Sequence, residues 1–116
     1  MTALLTEKRY RREKYTRTMQ SANQTYRLVD PGWQAAGFTT SIQTTNIKAI
    51  RFGLRGSSGA LLRYSYNAFS SGPIQEPYGL RPAGYFEDLE DGIANIAFAS
   101  DTAGEVLEVD ILRVIS

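Results

Sequence analysis

The stretch Asn46–Tyr66 reads NIKAIRFGLRGSSGALLRYSY. In its first half, Ile50, Phe52 and Leu54 alternate with Ala49, Arg51, Gly53 and Arg55. After Gly56-Ser57-Ser58-Gly59, residues Ala60, Leu62, Tyr64 and Tyr66 alternate with Leu61, Arg63 and Ser65. Period-two alternation on both sides of a Gly/Ser turn predicts a β-hairpin with one apolar face and one face bearing three arginines. An isolated hairpin is marginal in water, so the chain is expected to add further strands and a second layer.

The same pattern extends outward in both directions. Gln24, Tyr26 and Leu28 alternate with Thr25, Arg27 and Val29, and Asp30-Pro31-Gly32 supplies turn chemistry. Residues 33–37 read as a loop. Phe38, Thr40, Ile42 and Thr44 share a face in a Thr-rich run. Beyond the central stretch, 67–77 is a long Ser/Gly/Pro-rich loop of the kind that carries contacts. Residues 78–86 read as a strand that Pro82 demotes to an edge or a bulged position. Residues 87–92 read as an acidic turn. Ala94, Ile96 and Phe98 form the inward side of a short strand, and 100–104 a tight turn. The closing run 105–115 points Leu107, Val109 and Ile111 inward, with Glu108 and Asp110 outward. Six or seven strands at the turn spacing of antiparallel folds, with no convincing helix, predict an all-β protein: an antiparallel β-sandwich (jelly-roll-like) or small barrel.

The chain has 116 residues, which suits one domain. It has no cysteine, which excludes disulfides, thiolate catalysis and zinc–thiolate sites. It has no histidine, which removes the commonest general base and transition-metal ligand. Most catalytic routes are closed by these two absences, so the expectation is a protein that is not an enzyme and uses no cofactor. No apolar run reaches the ~20 residues that span a bilayer, so no membrane partner is expected. The start, MTALLTEKRYRREK, lacks the apolar core of a secretory signal, and synthesis in a cytoplasm is expected.

The net charge of +1 conceals a gradient. Residues 1–30 carry +4, residues 31–80 carry +3 and residues 81–116 carry −6. Residues 1–20 read as a basic N-terminal arm and 21–116 as the sandwich domain. The arm gathers Lys8, Arg9, Arg11, Arg12 and Lys14 around Tyr10 and Tyr15. Three readings of it are weighed: a solvated tail, an arm lying on an acidic neighbour, and a contact for nucleic acid. The acidic rear offers no matching basic face, so nucleic acid is not an expected partner. A basic front and an acidic rear can pair within one molecule or between neighbours.

Other candidate sites each carry a plainer alternative. Glu87, Asp88, Glu90 and Asp91 lack the spacing of an EF-hand loop and read as a solvated acidic turn, suited to a neighbour's basic arm. Gly53 to Gly59 lacks the GK[ST] ending of a phosphate-binding loop and reads as a turn. Trp33, with Phe69 and Tyr78, could offer a stacking platform for sugars, or Trp33 could anchor the core or an interface.

The succession TYRLVDPGW, NIKAIRFGLRG, ALLRYSYN, YGLRPAGYFEDLEDGIANIAFAS and DTAGEVLEVDILR resembles the small all-β structural proteins of tailed-phage virions. The likeness covers roughly residues 24–115. It implies a capsid cement or decoration protein, or a collar or fibre component, with no catalytic residues. The expected partners are therefore copies of itself and capsid or tail subunits, in a homo-oligomer with a trimer as one form, located in the virion. The arm, Trp33 and the acidic turn are the expected contact elements. A carbohydrate-binding β-sandwich module centred on Trp33 is the alternative.

Overall fold

The computed structural model describes residues 9–56, 58–65, 74, 79–89 and 96–115. Among the described residues, ten strands occur in this order: β1 (Tyr10–Met19), β2 (Tyr26–Arg27), β3 (Trp33–Ala35), β4 (Phe38–Thr40), β5 (Ile47–Leu54), β6 (Leu61–Ser65), β7 (Gly79–Pro82), β8 (Glu87–Leu89), β9 (Ala97–Ser100) and β10 (Glu105–Val114). They form a six-stranded sheet, β4-β3-β1-β10-β5-β8, and a four-stranded sheet, β2-β9-β6-β7. All strand pairings are antiparallel. The protein is thus an all-β sandwich of two separate sheets.

The core fills the space between the sheets. Met19, Trp33, Ile50, Phe52, Leu54, Leu107, Val109 and Ile111 are buried from the larger sheet, and Tyr26, Leu62, Tyr64 and Phe98 from the smaller. Edge-to-face contacts tie the layers together: Phe52 lies 4.9 Å from Tyr64 and 5.0 Å from Phe98, and Trp33 lies 6.3 Å from Phe98, between ring centroids. Such pairs add about 0.5–1.5 kcal/mol each beyond the area they bury. The predicted inward faces of the closing strand and of Ile50, Phe52 and Leu54 match this core.

The central stretch is not a hairpin. β5 pairs with β10 and β8 in one sheet, while β6 pairs with β7 and β9 in the other. The segment between them is an arch that crosses the sandwich. Gly56 and Gly59 adopt positive φ, +94° and +87°, and lift the chain from one layer to the next. An arch brings the two apolar faces against each other, whereas a hairpin would set them side by side. The alternation is identical in both cases, so the pattern alone cannot separate them.

Three further expectations change. Trp33–Ala35, read as a loop, is β3, which forms a hairpin with β4. Residues 87–89, read as part of a turn, are β8, paired with β5. The largest change concerns the predicted arm. Tyr10–Met19 forms β1, in register with β10 along its whole length from Tyr10↔Val114 to Met19↔Glu105. Its inner face carries Arg11, Glu13, Tyr15 and Arg17, so polar groups occupy positions where an apolar stripe would have signalled a strand. The predicted loop at 67–77, apart from Ile74, lies outside the described residues.

Candidate interaction surface

The strand β1 presents a different surface on each side of its pleat, because successive side chains alternate between faces. On the inner side, Glu13 accepts hydrogen bonds from Arg113 Nε and Nη2, both at 3.0 Å, from Tyr15 Oη at 2.7 Å and from Arg11 Nε at 2.8 Å. Arg113, almost fully buried, also donates to the carbonyls of Thr45 at 2.5 Å and Gln43 at 3.0 Å. The segment leading into β5 is thereby pinned over the end of the sandwich. Burial alone would raise the Glu13 carboxyl pKa, but hydrogen bonds from Arg113, Tyr15 and Arg11 outweigh it and lower the pKa to about 2. Burial and the bond to Glu13 push the Tyr15 phenol up.

Next along the inner side, the Arg17 guanidinium lies 4.2 Å from the centre of the Tyr26 ring and 5.4 Å from that of Trp33. The positive charge faces the negative faces of two rings, a favourable arrangement in a desolvated place. Gly32 sits against the same guanidinium, and an added Cβ there would meet Arg17 Nη2 at 2.9 Å. Trp33 is fully buried and donates its Nε1 hydrogen to the Arg27 carbonyl at 3.0 Å. It therefore offers no face to a sugar, and the expected stacking platform gives way to a core anchor.

On the outer side, charges alternate across four strands. The register runs Lys14↔Asp110 from β1 to β10, Asp110↔Arg51 from β10 to β5, and Arg51↔Asp88 from β5 to β8. Cross-strand neighbours of opposite sign stabilise a sheet by a few tenths of a kcal/mol to about 1 kcal/mol each. Asp110 Oδ1 is buried and accepts no hydrogen bond from the described residues. Arg12 lies beside this row, opposite Leu112. Together with the Ala49 side chain they line an open groove of about 570 Å³.

The predicted contact residues are therefore dispersed. Arg11, Arg12 and Lys14 are exposed on β1, and Arg9 precedes it. Asp88 is exposed at the opposite edge of the same sheet. Glu87 instead turns toward the smaller sheet, in an ion pair with Arg81 and as acceptor from Tyr64 Oη at 3.2 Å. It ties the two layers together where their open edges meet. Lys8, Glu90 and Asp91 lie outside the described residues. The sequence reading missed Glu13, Arg113, Arg51 and Asp110, whose roles depend on partners distant in the chain. The regular outward placing of Arg51 and Asp110 on their strands was the one available signal.

Among the described residues, no group of three or more His, Cys, Asp or Glu side chains is placed to hold a metal ion, and no helix is long and apolar enough to cross a membrane.

No family model matches the chain, and no curated protein matches it. A solved structure titled "Bacillus endospore appendages form a novel family of disulfide-linked pili" is similar over 100% of this chain and 97% of that one, with 9% identity and a TM-score of 0.49. That degree of likeness says nothing about function. The present chain has no cysteine and cannot form disulfide links. None of these findings supports a tailed-phage origin.

Proposed function

We propose that this chain is a non-enzymatic structural protein that works by self-assembly. Its sharper form is a capsid cement or decoration protein, docking on a capsid or tail surface of a virion. The observation that carries the general reading is the polarity of the larger sheet. A strand with exposed Arg11, Arg12 and Lys14 lies toward one side, and β8, with its exposed Asp88, forms the opposite edge. Complementary edges on one molecule favour association between copies. The virion form rests on the sequence resemblance alone.

The test is solution mass by light scattering over a range of concentrations. A self-assembling protein gives a mass above the 12.9 kDa of one chain, rising with concentration. A monomer at every concentration, alone and with isolated phage particles, would remove the proposal. The carbohydrate alternative has lost its motivating residue, since Trp33 is buried.

A further inference from the structure

Among the described residues, the outer edge of β1 is open over half its length. β3 covers this strand only around Thr16, which pairs with Gln34. In an antiparallel strand, the N–H and C=O of one residue point to the same side, and successive residues alternate. The Ile115 N–H donates to the Arg9 carbonyl at 2.9 Å, so Arg9, and with it Arg11 and Glu13, direct their backbone groups toward β10. Tyr10, Arg12 and Lys14 therefore direct theirs away from it. Thr16, next in the same series, uses its outward groups for β3, as this alternation requires. Among the described residues, no strand pairs with Tyr10, Arg12 or Lys14 on that side.

We propose that this edge is a strand-addition site, and that its occupant is the acidic edge strand β8 of a second copy. The inference rests on the self-assembly reading and assigns its contact. Three observations select the occupant. First, the slot is short. Five residues, roughly 17 Å at the rise of a strand, separate the start of β1 from the part covered by β3, and β8 is a three-residue strand that pairs only with β5 among the described residues. Second, the directions agree. β1, β10, β5 and β8 alternate in direction, so β8 of a copy in the same orientation arrives antiparallel to β1. Third, the charges match. The row Lys14, Asp110, Arg51, Asp88 begins positive and ends negative. Placing Asp88 of the second copy opposite Lys14 or Arg12 continues the alternation without a break. Pairing two β1 edges would instead set Arg11, Arg12 and Lys14 against their own copies, which is unfavourable.

Beside the slot on its inner side is a notch of about 250 Å³, lined in part by Arg11, Tyr15, Phe38 and Thr40. Phe38 is 58% exposed there, and an added strand would cover it. The contact joins two different surfaces, so repetition produces a ring or an open-ended row of molecules.

Two variants test the contact. Arg12→Pro removes an outward N–H and leaves the β10 ladder intact, because proline is tolerated where the N–H faces outward from an edge. Asp88→Lys reverses the sign of the other edge. Each variant alone is expected to give a monomer by light scattering. Arg12→Pro keeps a thermal midpoint close to that of the wild type, and Asp88→Lys, which sets a lysine opposite Arg51, lowers it slightly while keeping a cooperative transition. Mixed in equal amounts, they retain one good edge each and are expected to form a 1:1 dimer and nothing larger. Wild-type masses for either variant, or a mixture that stays monomeric or grows beyond a dimer, would overturn the assignment while self-assembly itself still stood. A wild-type protein that never exceeds one chain in mass would remove the self-assembly reading and this contact with it.

Discussion

Glu13 and Arg113, a hundred positions apart in the chain, meet in a two-point ion pair at the end of the sandwich, with both nitrogen–oxygen distances at 3.0 Å. The pair spans the first and last strands, and Arg113 also holds the carbonyls of Gln43 and Thr45. Removing one partner of a buried pair leaves the other charge uncompensated, at a cost of about 3–5 kcal/mol. Arg113→Ala is expected to destabilise the fold by about that amount. The readout is the urea midpoint, with the slope of the transition unchanged.

The same pair gives stability a pH dependence of definite sign. The Glu13 carboxyl has a pKa of about 2 in the folded protein, below its usual value of 4.5. Its contribution is therefore present above the unfolded value and is lost as pH falls from about 4.5 toward 2. By linkage the depression corresponds to about 3 kcal/mol. Wild-type unfolding free energy is expected to fall across that window, and Glu13→Gln to flatten much of the fall. A residual slope remains from Asp101, held below the usual carboxylate range chiefly by the Leu61 backbone N–H. Equal slopes in the wild type and the variant would refute the assignment.

Trp33 separates a core role from a binding role. Trp33→Ala empties a fully buried site and removes the contact with Phe98. A loss of about 3–5 kcal/mol is expected. Tyr85→Ala, at a ring 66% exposed, should stay within about 0.5 kcal/mol of the wild type. Chemical denaturation of both variants makes the comparison.

Gly79 faces the Tyr64 ring so closely that a methyl group there would collide with it. The Tyr64 hydroxyl in turn reaches Glu87. Gly79→Ala is expected to cost about 1–3 kcal/mol by overpacking, and Tyr64→Phe about 1.5 kcal/mol through the lost bond to a carboxylate. Because both changes act on one ring, their double mutant should be non-additive, and strict additivity would argue against the shared contact.

Removal of residues 1–17 takes away most of β1 and with it the longest pairing of the larger sheet. That truncation is expected to give an unfolded chain by circular dichroism. Its failure to assemble would therefore say nothing about a free arm, which is why point changes on the outward edge are the sharper probe.

Much of the fold was legible where residues of one kind alternate cleanly. Leu107, Val109 and Ile111 against Glu108 and Asp110 define a half-buried strand from sequence alone. The arch at Gly56–Gly59 was not, because alternation fixes which face is buried but not which sheet a strand joins. β1 was hidden for a different reason. Its inward positions include Arg11, Glu13 and Arg17, and the latter two are neutralised or stacked by partners further along the chain: Glu13 by Arg113, Arg17 by Tyr26 and Trp33. A charge that is satisfied only in the folded state looks, in the bare sequence, like a solvated one. The contact residues divided along the same line. Arg12 and Lys14 do present themselves on the outer face, Arg11 sits exposed at the rim of the inner face beside Glu13, and Glu87 and Trp33 serve the interior.

The pairing of β1 with β10 also sets a schedule for synthesis. The first described strand emerges from the ribosome roughly a hundred residues before the strand that it must meet. Until then the backbone groups that face β10 have water for partners, and the core lacks Leu107, Val109 and Ile111. Closing so long a loop is slow, because its entropic cost precedes any reward from contacts. A nascent chain interrupted before β10 consequently holds the larger sheet only as two unjoined parts, β4-β3-β1 and β5-β8, and their union waits for a single late event.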